Sequence, residues 1–190
     1  MTKSNIEEIA NEVLNKYVSK GGAYKQFDNI FQSEKIKHRE IDVDENKLCG
    51  VFTKAPNNQN YIMINKNINN EGRKNFTISH ELGHYFLNHP LKSGNLIDKV
   101  INEECSSKEP MEYEADYFAT CLLMPEEKLT RAIKSILFSI YNKVVNTPIV
   151  INSNNYKTWA IINAELTKRY GVSETALRYR LNSLNLVRFL

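Results

Sequence analysis

No apolar run in the chain approaches the ~20 residues that a membrane-spanning helix needs, which excludes a helical membrane protein. Cysteine is scarce. Cys49, Cys105 and Cys121 are odd in number and lack CxxC spacing, so neither a disulfide framework nor a cysteine-built structural zinc site is indicated. A strong excess of one charge is missing too: 25 Lys and Arg stand against 22 Asp and Glu, a net +3. That balance alone does not imply nucleic acid, because a DNA footprint requires clustered basic residues. No internal repeat or low-complexity segment is present, and the opening residues Met1 to Asn5 lead into an amphipathic segment with acids instead of a secretory apolar region. A cytoplasmic protein without a membrane partner is expected. Hydrophobic content of 42% and charged content of 25% over 190 residues fit a soluble globular protein with one core and room for a small second unit.

What the chain does hold is the pentapeptide His80-Glu81-Leu82-Gly83-His84. Residues four apart on a helix share a face, with Cβ atoms about 5–6 Å apart, so two imidazoles at His80 and His84 can converge on one cation. Glu81 is rotated about 100° from His80, which lets its carboxylate reach a water beside the metal without becoming a ligand. That is the metalloprotease arrangement. Phe76, Ile78, Leu82, Phe86 and Leu87 supply an apolar face, and no proline lies between Arg73 and Asn88. A half-buried helix with its histidines partnered is expected.

A catalytic zinc takes three protein ligands and keeps one position open. The second acidic segment, Glu112-Tyr113-Glu114-Ala115-Asp116, supplies the candidates. Glu112 and Glu114 lie about 200° apart on a helix and cannot both face the metal. Glu112 and Asp116 share a face, so Glu112 is taken as the ligand and Asp116 as the acceptor that orients a histidine through its other ring nitrogen. Glu114 stands as the second candidate ligand. Zinc suits two histidines and a carboxylate best, and such a site also admits manganese or other first-row ions. For an oxyanion donor, Tyr85, His89, Tyr113 and Tyr117 are candidates by type. Cys121 is expected in the core, and His38 is read as an ordinary surface or turn histidine.

Arg73 to Tyr85, Glu112 to Ala119 and Leu122-Leu123-Met124-Pro125 resemble, in order and spacing, the signature blocks of the ImmA/IrrE family of metallopeptidases. The resemblance extends more loosely to the closing segment Tyr170 to Leu181. Ser79 stands where many relatives carry alanine, and His89 comes one place later than a histidine often found there. The resemblance implies a cytoplasmic zinc endopeptidase of gluzincin type with a Glu of the later helix as third ligand. It also implies a protein substrate, typically a helix-turn-helix transcriptional repressor. Two other functions compete: a non-hydrolytic, metal-stabilised module that binds a repressor or DNA, and a toxin-like peptidase held by an antitoxin.

Along the chain, Ser4 is expected to cap a helix bearing Ile6, Ile9, Ala10, Val13, Leu14 and Tyr17 that ends near Gly21-Gly22. Phe27, Ile30 and Phe31 mark a short second helix. From Ile36 to Asn65 the pattern turns to strands, predicting a small antiparallel sheet with a turn at Pro56-Asn57-Asn58. Residues 89 to 110 read as an irregular connection of about twenty residues. Glu126 and Glu127 open another helix with Leu129, Ile133, Ile136, Leu137 and Ile140 buried. A break follows from Asn146 to Asn155. A helix then carries Trp159, Ile162, Leu166 and Tyr170, and Ser173 caps a last one carrying Leu177, Leu181 and Leu184. This end, with Arg178, Arg180 and Arg188, resembles a helix-turn-helix fragment, for which packing on the core or docking of a protein partner is expected ahead of direct DNA binding. The predicted fold is α+β: a zincin-like domain over residues 1–125 and a helical C-terminal region over residues 126–190.

Overall fold

The computed structural model describes residues 1–19, 21–44, 48–90 and 110–190. Cys105 and residues 91–109 of the predicted connection between the two metal-binding helices lie outside the described residues. Helix α1 (Lys3–Tyr17) starts two residues earlier than expected, because Thr2 and not Ser4 is its cap: the Thr2 hydroxyl accepts from the Asn5 amide. It buries Ile6, Ala10, Val13, Leu14 and Tyr17 and ends at Val18, before the glycine pair. Helix α2 (Phe27–Ser33) follows a short 3-10 turn and buries Phe27, Ile30 and Phe31.

Strands β1 (Lys37–Ile41), β2 (Gly50–Lys54) and β3 (Asn60–Asn65) form one small sheet in the order β1-β3-β2. The sheet is mixed, which corrects the antiparallel expectation. β2 and β3 form an antiparallel hairpin, but β1 lies on the other side of β3 and runs parallel to it, His38 opposite Ile62. Alternation in a sequence marks which face a residue takes and carries no record of strand direction. His38 is therefore a strand residue, half-buried and stacked on Phe31.

Helix α3 (Glu71–Phe86) packs on β2 and β3 of this sheet, and helix α4 (Pro110–Leu123) packs against α3 and α1. Gly83 makes the crossing tight: a Cβ there would stand 3.0 Å from the Ala115 Cα and 3.1 Å from its carbonyl oxygen. Any larger residue at 83 would push α4, and with it Glu112, away from the histidines. Phe86 stacks on Phe118 at 6.0 Å between ring centres and extends the same contact apolarly.

Helix α5 (Glu126–Tyr141) buries Leu129, Ala132, Ile133, Ile136 and Leu137, the aliphatic ones each contributing about 1.5–3 kcal/mol. Helices α6 (Tyr156–Tyr170) and α7 (Glu174–Ser183) follow, and Ser173 caps α7 through the Ala176 amide as expected. Two three-residue strands, β4 (Ile149–Ile151) and β5 (Val187–Phe189), pair in parallel; the sequence showed β4 only as a helix break.

One hydrophobic core runs from Ile6 to Val187. The arginines of the last segment are turned to this packing. Arg180 is fully buried, donating from Nη2 to Glu7 (2.9 Å) and from Nε to the Met124 carbonyl (3.2 Å). Arg178 lies 4.0 Å over the Phe189 ring and pairs with Glu174, while Arg188 donates to Asn185. No described helix is long and apolar enough to cross a membrane.

Candidate metal centre

Helix α3 places His80, Glu81 and His84 where it crosses α4, and α4 supplies Glu112 from its first turn. The three ligand atoms form a small triangle. His80 Nε2 is 3.0 Å from His84 Nε2 and 3.1 Å from Glu112 Oε2, and His84 Nε2 is 3.5 Å from the same carboxylate oxygen. A tetrahedral zinc with bonds of about 2.0–2.2 Å separates its ligand atoms by about 3.3–3.6 Å. The triangle is close to that spacing, so these residues fit such a cation, and they are the described His, Cys, Asp or Glu residues that cluster in this way. Glu114, the second candidate ligand, points elsewhere, to His89.

Asp116 Oδ1 lies 2.8 Å from His80 Nδ1, where a carboxylate can only accept. That bond fixes a proton on His80 Nδ1, and Nε2 faces Glu112. The structure thus places His80, His84 and Glu112 at one point, Asp116 behind His80, and Glu81 beside them.

Electrostatics describe a site built for positive charge. Burial opposes protonation of His80, yet the hydrogen bonds to Asp116 and Glu112 outweigh it and lift its pKa to about 10. The His80 and His84 imidazoles beside it hold Glu112 well below the usual carboxylate range. Glu81 is only 6% exposed. Burial raises its pKa, and the nearby histidines and the Phe52 backbone N–H act in the opposite direction.

That Phe52 amide belongs to the side of β2 that faces away from β3. Cys49 accepts from Asn65 and Ala55 donates to Gln59, so alternate residues of β2 pair with β3 and the intervening ones, Gly50, Phe52 and Lys54, direct their backbone groups outward. Gly50 sits against Thr77 and the Glu81 carboxylate itself.

Tyr85 donates its hydroxyl to Glu34 at 2.7 Å, and burial with that carboxylate pushes it up to about 12; it is engaged away from the metal triangle. Tyr117 is buried and stacked on Tyr113. Cys121 is a core residue whose thiol burial pushes up to about 11. Sequence reasoning missed the place of His89. Its Nδ1 lies 3.0 Å from His84 Nδ1 and its Nε2 3.1 Å from Glu114 Oε2. The available signal was Asn88, a residue that readily adopts the left-handed conformation ending a helix.

A fold of this kind with two histidines one turn apart, a glutamate between them and a carboxylate from the next helix defines a class of metal-binding α+β domains. The sequence profile described as the IrrE N-terminal-like domain, Peptidase_M78, matches residues 31–182; the chain belongs to this ImmA/IrrE family. It is similar to the metallopeptidase ImmA of Bacillus subtilis (strain 168), 36% identical over 78 residues that cover 41% of this chain and 42% of that protein. Its fold is similar to that of a Mycobacterium tuberculosis transcriptional regulator, with a TM-score of 0.59 at 14% identity over 94% of this chain and 46% of the other. In both comparisons the match spans less than half the length of the relative.

Proposed function

We propose that the chain is a cytoplasmic zinc-dependent endopeptidase that hydrolyses a peptide bond in a partner regulatory protein, of the helix-turn-helix repressor class. The observation that carries this is the convergence of His80, His84 and Glu112 within hydrogen-bond distance of one another, with Glu81 buried beside them. The peptidase part is supported by the family and by the similarity to a metallopeptidase; the repressor part rests on the family resemblance. Residues 1–125 are its zincin-like catalytic domain and residues 126–190 a helical region packed on it.

His80, His84 and Glu112 hold the cation, with zinc ahead of manganese because two imidazoles and one carboxylate at tetrahedral spacing suit it best. When bound, such an ion generates a nucleophile from water at neutral pH and polarises the carbonyl under attack. Glu81 takes the proton of the attacking water as the new C–O bond forms, then passes it to the amide nitrogen as the C–N bond breaks. Its raised pKa brings it nearer the working pH, where a group both accepts and returns a proton well. An extended substrate pairs with the outward backbone groups of Gly50 and Lys54 along the edge of β2, the outer strand among the described residues.

The test is a proteome-derived peptide library incubated with the zinc-loaded chain. New amino termini are expected with the wild type and not after chelation; zinc-loaded protein that yields none from the library or from a co-expressed helix-turn-helix repressor would contradict the assignment.

Proton competition gives a second expectation. His80 is protonated up to about pH 10 in the metal-free site, and zinc requires that nitrogen bare, so at pH 7 each zinc bound releases about one proton. Raising the pH removes the competitor and strengthens binding, while lowering it weakens the apparent affinity about tenfold per unit. Calorimetry in buffers of differing ionisation enthalpy measures the proton count, and binding without proton release between about pH 6 and 8 would count against the ligand set.

A further inference from the structure

We propose that His89 and Glu114 are positioning residues for His84: a hydrogen-bonded relay from Glu114 through His89 fixes the proton of His84 on Nδ1 and aims its bare Nε2 at His80 and Glu112. The inference rests on the assignment of His84 as a metal ligand, and it extends the site by two residues.

Glu114 Oε2 lies 3.1 Å from His89 Nε2, and a carboxylate only accepts, so that nitrogen carries hydrogen. A histidine with its single proton on Nε2 presents a lone pair at Nδ1. His89 Nδ1 is 3.0 Å from His84 Nδ1, and two ring nitrogens bond only when one of them brings the proton, which here is His84's. Nε2 of His84 is then bare, 3.0 Å from His80 Nε2. Asp116 fixes the Nδ1 proton of His80 directly, so α4 contributes three carboxylates with three tasks: Glu112 at the centre, Asp116 behind His80 and Glu114 two rings behind.

The local chain is shaped for this. α3 stops at Leu87, Asn88 takes a left-handed φ of 53°, and the His89 amide turns back to the His84 carbonyl at 3.1 Å while the Asn88 amide reaches the Tyr85 carbonyl. This six-to-one and five-to-two closure folds the His89 ring onto His84, with 5.0 Å between ring centres. The His89 side chain is left 6% exposed between a histidine and a glutamate. The other oxygen of Glu114 accepts from the Met1 amino group.

The experiment reads the His84 tautomer by long-range 1H–15N correlation on metal-free protein, and zinc affinity by chelator competition. Wild type is expected to show the Nδ1–H form of His84. His89→Ala is expected to lose that fixed form and to bind zinc about 10–100-fold more weakly. His89→Gln, whose amide oxygen accepts from His84 while its NH2 donates to Glu114, is expected to recover most of both. If His89→Ala does not fold, Glu114→Ala carries the same expectation. An Nε2–H tautomer of His84 in the wild type, or a tautomer and affinity unchanged in His89→Ala, overturns the relay. His80→Ala separates the two assignments: loss of tight binding there with none in His89→Ala leaves the metal site standing and removes the relay. If wild type binds no zinc the metal site fails, and the tautomer alone decides the relay.

Discussion

Glu81→Gln is expected to lower peptide cleavage by about 10²–10⁴ while leaving zinc content and fold unchanged. The substitution keeps shape and removes only the capacity to take a proton. Gln can still accept the Phe52 N–H with its amide oxygen, so the contact with β2 survives. Because Glu81 is buried and raised in pKa, its neutral replacement does not strand a charge, and stability is expected to hold or rise slightly. The comparison is made on zinc-loaded proteins of matched metal content, so any difference reports proton transfer. A variant that cleaved at the wild-type rate would remove Glu81 from the mechanism.

Glu7→Ala is expected to destabilise the chain by about 3 kcal/mol, the lower end of the range for breaking a buried ion pair. Glu7 itself is 24% exposed, but Arg180 is wholly enclosed, and removing the carboxylate leaves its guanidinium with the Met124 carbonyl and the Tyr117 ring as remaining partners. At about 2–4 °C per kcal/mol for a chain of this size, the Tm falls by about 6–12 °C. The double variant Glu7→Leu with Arg180→Met, which replaces the pair by apolar groups, is expected to recover most of the loss. Urea unfolding measures both; a Glu7→Ala change below about 0.5 kcal/mol, the range of an ordinary surface substitution, would show that the pair does not hold α1 to α7.

The helices were legible because their apolar residues recur at helical spacing: Ile6 to Tyr17, Leu129 to Leu137 and Trp159 to Tyr170 all face the core as that spacing requires. The helical exception is the start of α1, where Thr2 and Ser4 are both capping types and only geometry decides between them. Strand pairing was less legible. β1 runs parallel to β3 because the chain crosses to the far side of the hairpin, a tertiary choice that no five-residue pattern contains. β4 and β5 are three residues each and pair across 35 residues of intervening chain, too short for periodicity to mark them.

At the site, the triangle was readable from spacing, since a four-residue interval dictates a shared face. The relay was not. His89 and Glu114 stand five and two places from His84 and Glu112, intervals that no helical face rule pairs, and the left-handed turn at Asn88 with the close crossing at Gly83 brings them together. Likewise Arg178, Arg180 and Arg188 read by composition as a basic cluster, whereas burial and pairing assign each to a partner within the chain.

Elemental analysis of the purified chain, wild type beside His84→Ala and Glu112→Ala, tests the central claim most directly. About one zinc per chain in the wild type, as a single three-ligand site requires, and its loss in both variants is the expected result. No bound metal after zinc is supplied, or full occupancy retained in the Glu112→Ala variant, would contradict the site built from α3 and α4.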